Sequence, residues 1–158
     1  MTPVNQEFTH QPELGIYGDC QRAVIASLLD LPIGDVPHFF LKAKENTPLY
    51  WALLQKFVIS KGFVYQELPS SADKPEFSLA DYHEIAGPSP RGNCLHAVVG
   101  HNGKIVHDPH PDNSGLAGNA DEWTHSYLVK LQPHDYDAEF EAAIERLNKI
   151  VEESDETI

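Results

Sequence analysis

The chain has little that is basic: 11 Lys and Arg stand against 24 Asp and Glu in 158 residues, a formal charge of −13. A negative average potential repels phosphate backbones and anionic lipid, so neither nucleic acid nor a membrane surface is an expected partner. The lysines that come closest to clustering, Lys42, Lys44, Lys56 and Lys61, read as a solvated helix face. No apolar run reaches the ~20 residues of a membrane-spanning helix. The opening MTPVNQEFTHQPEL lacks the basic start and apolar core of a secretory signal. Two cysteines, Cys20 and Cys94, are too few for a disulfide framework, so each is read as a thiol. A soluble, cytoplasmic protein is expected, and its length suits one domain over 1–158.

What is present is a run of helices followed by a run of strands. Residues 20–29, CQRAVIASLL, repeat apolar side chains at three- and four-residue steps and predict a buried helix. Gly18 permits a sharp entry, Asp19 is the expected N-cap and Pro32 lies beyond the end. A short helical element over 36–42 and a second helix over 48–61 follow, the latter closed by Gly62, with Leu49, Ala52, Leu53, Lys56, Phe57 and Ser60 on one side. Residues 63–68 read as a strand. The proline- and serine-rich stretch 69–92 reads as a long loop with one helical turn near 79–85. Strands are expected over 94–100, 104–107 and 123–131, then a helix over about 136–153 and an acidic tail to 158. Helices first and strands afterwards predict an α+β domain with an antiparallel sheet.

The chemistry-bearing residues fall in two places. A cysteine in the first helical turn meets unpaired backbone N–H groups and the positive end of the helix dipole, which together favour a thiolate. Cys20 is expected to ionise well below a free cysteine. Downstream, in LHAVVGHNGKIVHDPHP, two β-rich runs flank Asn102-Gly103, a hairpin signal. A three-residue loop over 101–103, with Gly103 left-handed, would set His96 directly opposite Asp108 and let the carboxylate fix the imidazole tautomer. A two-residue loop would put them on opposite faces. His107 is expected on the other sheet face from His96. A helix-start thiol, a strand histidine and a neighbouring carboxylate are the parts of nucleophilic thiol catalysis: Cys20 attacks, His96 moves the proton and Asp108 orients the ring.

The segments GDCQRAVIASLLDLP and HAVVGHNGKIVHDPHP together resemble the papain-like cysteine peptidase superfamily, in particular the bacteriocin-leader-processing peptidase domains and short bacterial and phage-borne relatives. The resemblance covers roughly residues 3–116. It implies a papain-like fold with the nucleophile helix packed on the sheet, Cys20, His96 and Asp108 as triad, and cleavage of a peptide or isopeptide bond. It also implies a glutamine ahead of the cysteine that serves the oxyanion. Six residues before Cys20 stands Leu14, so Gln6, in PVNQ, and Gln11 are the candidates, with Gln6 favoured. The GPSPRGN loop before His96 is the candidate for substrate selection through Arg91 and Gly92.

Two other classes compete. The run from His107 through Asp108 and His110 to Asp112, with His101 nearby, has ligands suited to zinc or iron, and a metal hydrolase would leave Cys20 dispensable. No second ligand cluster of matching spacing accompanies it, so no metal or other cofactor is expected. The remaining class is a binding or inhibitory module that holds a peptide or protein without turnover. Cys94 lies two residues before His96 and is expected on the same strand face.

Overall fold

The structure, a computed structural model, describes residues 1–44, 46–68, 81–131 and 138–155. The chain forms two compact units, each built from two stretches: Met1–Pro37 with Gln66–Tyr127, and His38–Tyr65 with Leu128–Ile158. The class is the expected one, α+β. Strands β1 (Phe63–Leu68), β2 (His83–Pro88), β3 (Leu95–His101), β4 (Lys104–His107) and β5 (Thr124–Lys130) form a five-stranded sheet in the order β1-β5-β2-β3-β4. The described pairings, β2 with β3, β2 with β5 and β3 with β4, are antiparallel. Among the described residues no single helix is long and apolar enough to cross a membrane.

In the first unit, helix α1 (Cys20–Leu28) buries Ala23, Val24, Ile25, Ala26 and Ser27 completely. Val24 packs on Ala97 and Val99 of β3, with Cys20 and Leu28 at the margin of that cluster. Asp19 precedes α1 as expected, but its side chain does not cap the helix. Its carboxylate instead accepts from the Phe8 N–H at 2.9 Å and from Arg22 Nη1 at 3.0 Å, tying the N-terminal segment to the helix start. Ser27 Oγ donates to the Ala23 carbonyl and accepts from the Val4 N–H at 3.0 Å, a second tie on the same segment.

Strand β2 corrects the sequence reading most. The loop expected over 69–92 lies outside the described residues up to 80, but 83–88 is a strand paired on both sides, and no helical turn occupies it. Alternation marks a strand with one wet face; His83, Glu84 and Ile85 are each at most 1% exposed, so neither face of β2 is wet and the pattern vanishes. Its polar side chains have internal partners. His83 Nδ1 donates to the Asp81 carbonyl at 2.8 Å, its Nε2 lies 3.0 Å from His125 Nδ1, and its ring stacks on Tyr127 at 4.7 Å. Gln21 Nε2 donates to Glu84 Oε1 at 2.9 Å on the face toward α1.

The β3–β4 turn is tighter than expected. Asn102 and Gly103 both have positive φ, 51° and 70°, as a two-residue type I′ turn requires, and His101 pairs with Lys104. A bulge then shifts the pairing between Gly100, opposite Ile105, and Val99, opposite His107.

In the second unit, α2 (Phe39–Ala43) and α3 (Thr47–Ser60) enclose a core of Phe39, Ala43, Leu49, Ala52, Leu54, Val58 and Tyr65. Phe39 meets Phe57 and Tyr50 with ring centroids 5.8 and 6.4 Å apart. Asn46 caps α3 by accepting from the Leu49 N–H at 3.0 Å. Lys56 and Ser60, read from sequence as part of the packed side, are exposed, and the stripe turns to Leu54 and Val58 instead. Helix α4 (Ala138–Asp155) packs with α3 and carries a Lys149–Glu153 pair; the expected start at 136 lies outside the described residues.

Gly100 marks where this sheet has no spare room. A Cβ there would lie 2.5 Å from Ile85 Cδ1 and 2.8 Å from His83 Nε2. Gly100→Ala should therefore lower stability by about 1–3 kcal/mol; a urea midpoint equal to that of the parent protein would show that the packing gives way freely.

Candidate active site

The residues read from sequence as catalytic, substrate-binding or metal-ligating all lie in the first unit. His96 Nε2 and Asp108 Oδ1 are 2.8 Å apart, both side chains nearly solvent-free at 5% and 1% exposure. The contact is the expected one, but the register behind it is not. His96 pairs with Gly87 across β2, and β4 ends at His107, one residue short of Asp108. A two-residue turn alone would have set the pair on opposite faces. The bulge restores the parity, because it puts His107 level with Val99, so that Asp108, the next residue, falls level with Val98 and shares a face with His96, a diagonal neighbour.

The Asp108 carboxylate is held from several directions. Its Oδ1 accepts from the His110 N–H at 2.8 Å as well as from His96, and its Oδ2 accepts from the Gly115 N–H at 2.7 Å. Burial would raise its pKa, but the His110 N–H, the His96 ring and the Gly115 N–H outweigh it and hold the group below the usual carboxylate value of 3.8. An ionised carboxylate only accepts, so His96 Nε2 carries the proton and Nδ1 is the basic nitrogen. Burial pushes the His96 pKa below 6.5, opposed by Asp108. At neutral pH the ring is an uncharged base with a fixed tautomer.

Cys20 opens α1 as expected, and both cysteines are free thiols. Its ionisation runs against expectation. Burial pushes the thiol up to about 11; N–H groups of Ala97 and Gln21 favour the thiolate, while the charges of Glu84 and Asp19 oppose it. The helix start is outweighed by desolvation and two carboxylates. Glu84 could not have been anticipated, since it lies in the stretch read as loop. Alternation places His96 with Gly87 on one sheet face and Ala97 and Val99, which pack on α1, on the other. The sulfur meets the strand at the Ala97 N–H, the peptide that follows His96, and no hydrogen bond joins it to the imidazole.

Gln6 runs between the two halves of the site. Its N–H donates to the Pro109 carbonyl at 3.0 Å, beside Asp108, and two residues later Phe8 is bonded to Asp19, beside Cys20. The Gln6 side-chain amide donates to the Phe8 carbonyl at 2.6 Å, and its Oε1 is buried without a hydrogen-bond partner. Gln11 instead donates to Thr9 Oγ1 and bridges to Ile16 in the turn ahead of α1. Arg91 contacts Asp112 Oδ1 at 2.9 Å and Ser114 Oγ, and Gly92 is exposed in the same turn. Cys94, half-buried, precedes β3 and closes that turn by accepting from the Ser89 N–H.

The residues of the metal reading diverge. His107 lies on the opposite sheet face from His96, as expected, but that is the face α1 packs on, where the sequence reading puts His96. His107 donates through Nε2 to the Val4 carbonyl at 2.9 Å, Asp108 binds His96, and His110 Nδ1 faces Asp112. Among the described residues no three His, Cys, Asp or Glu side chains converge on a common point as a metal would require. Comparison with family models, curated proteins and solved structures finds no match to this chain.

The alkylation of Cys20 by iodoacetamide should keep accelerating with pH toward about 11; a rate that levels off near neutral pH would show a thiolate at rest. Acid should act on His96 first. Its folded pKa lies below the unfolded value, so the unfolded chain binds the proton more readily and stability falls as pH drops below 6.5. Asp108 adds a second loss below 3.8 for the same reason. Urea midpoints of His96→Gln should fall less between pH 7 and 5 than those of the parent, and parallel curves would refute the assignment.

Proposed function

We propose that the chain is a papain-like cysteine hydrolase that cleaves a peptide or isopeptide bond through Cys20, His96 and Asp108. The observation that carries this reading is the buried His96–Asp108 hydrogen bond, which fixes Nδ1 as the base on the residue next to the peptide that meets the Cys20 sulfur. The thiol proton passes to Nδ1 as the sulfur attacks the acyl carbon, and the imidazolium so formed is stabilised by Asp108. His96 then protonates the departing amine, leaving a thioester on Cys20. Water, deprotonated by the same nitrogen, attacks the thioester; the carboxylic acid is released and the sulfur regains its proton.

A thiol held near 11 makes proton transfer and attack concerted events, since a resting thiolate is scarce. Alternation sets His96 on the sheet face away from the one α1 packs on, so the reading requires the imidazole and the sulfur to be brought together when substrate is bound, and Gln6 to turn a donor from the Phe8 carbonyl toward the oxyanion. A cytoplasmic setting accords with the two free thiols.

One set of observations favours a second reading, a peptide-binding or inhibitory module without turnover: the raised thiol pKa, the missing thiol–imidazole bond and the Gln6 amide turned to Phe8. Acylation separates the two. Incubation with p-nitrophenyl acetate should leave an acetyl group on Cys20, seen by mass spectrometry, with Cys20→Ala unmodified there and His96→Ala slower by about 100-fold. An adduct on Cys94 alone, or none, would favour the module.

A further inference from the structure

Arg91, expected from sequence to reach substrate, has its guanidinium engaged by the loop after β4. It comes from the β2–β3 turn, where its own N–H donates to Ser89 Oγ at 3.2 Å. Nη1 lies 2.9 Å from Asp112 Oδ1, contacts Ser114 Oγ and stands 4.0 Å from Asp108 Oδ2. Asp112 gathers the middle of the loop after β4: its Oδ1 also accepts from the Ser114 N–H at 3.0 Å and lies 2.8 Å from His110 Nδ1. The two ends of that loop supply the His110 and Gly115 N–H groups that hold Asp108. Arg91 thus joins the chain just ahead of His96 to the chain just after Asp108.

We propose that Arg91 is a positioning residue for the His96–Asp108 pair: by clamping Asp112 and Ser114 it fixes the loop whose end N–H groups aim the Asp108 carboxylate at Nε2. Both contacts run from the one nitrogen Nη1, and a guanidinium suits this task because its planar head holds that nitrogen in a fixed direction and stays charged at every accessible pH. The link persists in acid, since the Ser114 N–H and hydroxyl, His110 and Arg91 overcome the burial that would raise Asp112 and hold it at about 2. The catalytic consequence rests on the hydrolase reading; the positioning does not.

The test reads the His96 ring directly. Long-range nitrogen NMR of the parent protein should report a single tautomer, protonated at Nε2. Arg91→Met should mix the tautomers while the chain stays folded by circular dichroism, and Arg91→Lys should restore part of the preference. Asp112→Asn, which keeps Arg91 but weakens its clamp, should shift the spectrum in the same direction and stands in if Arg91→Met fails to fold. Acetylation of Cys20 by p-nitrophenyl acetate should fall about 10- to 100-fold in Arg91→Met. A changed His96 spectrum with unchanged acetylation supports the positioning role and counts against the hydrolase. An unchanged His96 spectrum in both Arg91→Met and Asp112→Asn overturns the proposal.

Discussion

The Asp108 carboxylate accepts hydrogen bonds from three parts of the chain, the His96 ring, the His110 N–H and the Gly115 N–H, and much of the first unit is arranged to make that possible. A buried anion is costly unless its lone pairs are satisfied, and here they are. The same bonds set the histidine tautomer, since an acceptor-only partner leaves the imidazole one way to place its proton. The loop 110–115, the Arg91 contacts and the docking of Gln6 on Pro109 all border this one group.

Where the sequence is legible, local chemistry and packing agree. Helix α1 begins at Cys20 because Gly18 and Asp19 break the preceding chain and because Ala23, Val24 and Ser27 fall on a buried side. The hairpin was legible from Asn102-Gly103, and the His96–Asp108 contact with it, but through a turn that does not form. The two-residue turn and the bulge together produce the parity that a three-residue turn would have produced. Sequence pattern reports parity well and register poorly, because apolar alternation constrains faces and says little about a bulge whose residues are themselves β-formers.

Two things were illegible for a physical reason. Strand β2 is covered on both faces and lined with His83 and Glu84, whose partners come from β5 and α1, far off in sequence. Nothing local announces that such residues will be buried. The thiol was misjudged for the same cause: the helix terminus is a local feature, whereas enclosure and the Glu84 charge come from tertiary packing and prevail. Asp19 shows the converse, a residue correctly placed at the helix start whose side chain is diverted to Phe8 and Arg22.

The bulge between Val99 and Gly100 also limits how this hairpin can change over descent. A lone residue gained or lost in the turn would carry Asp108 to the far side of the sheet from His96, whatever residues stood at either place. Its length can therefore drift only in steps of two, or in single steps matched by the loss or gain of a bulge. Homologous chains with hairpins of unequal length should fall into even-spaced classes between the histidine and the aspartate, and an odd-spaced one should carry its compensating irregularity elsewhere along β3 or β4.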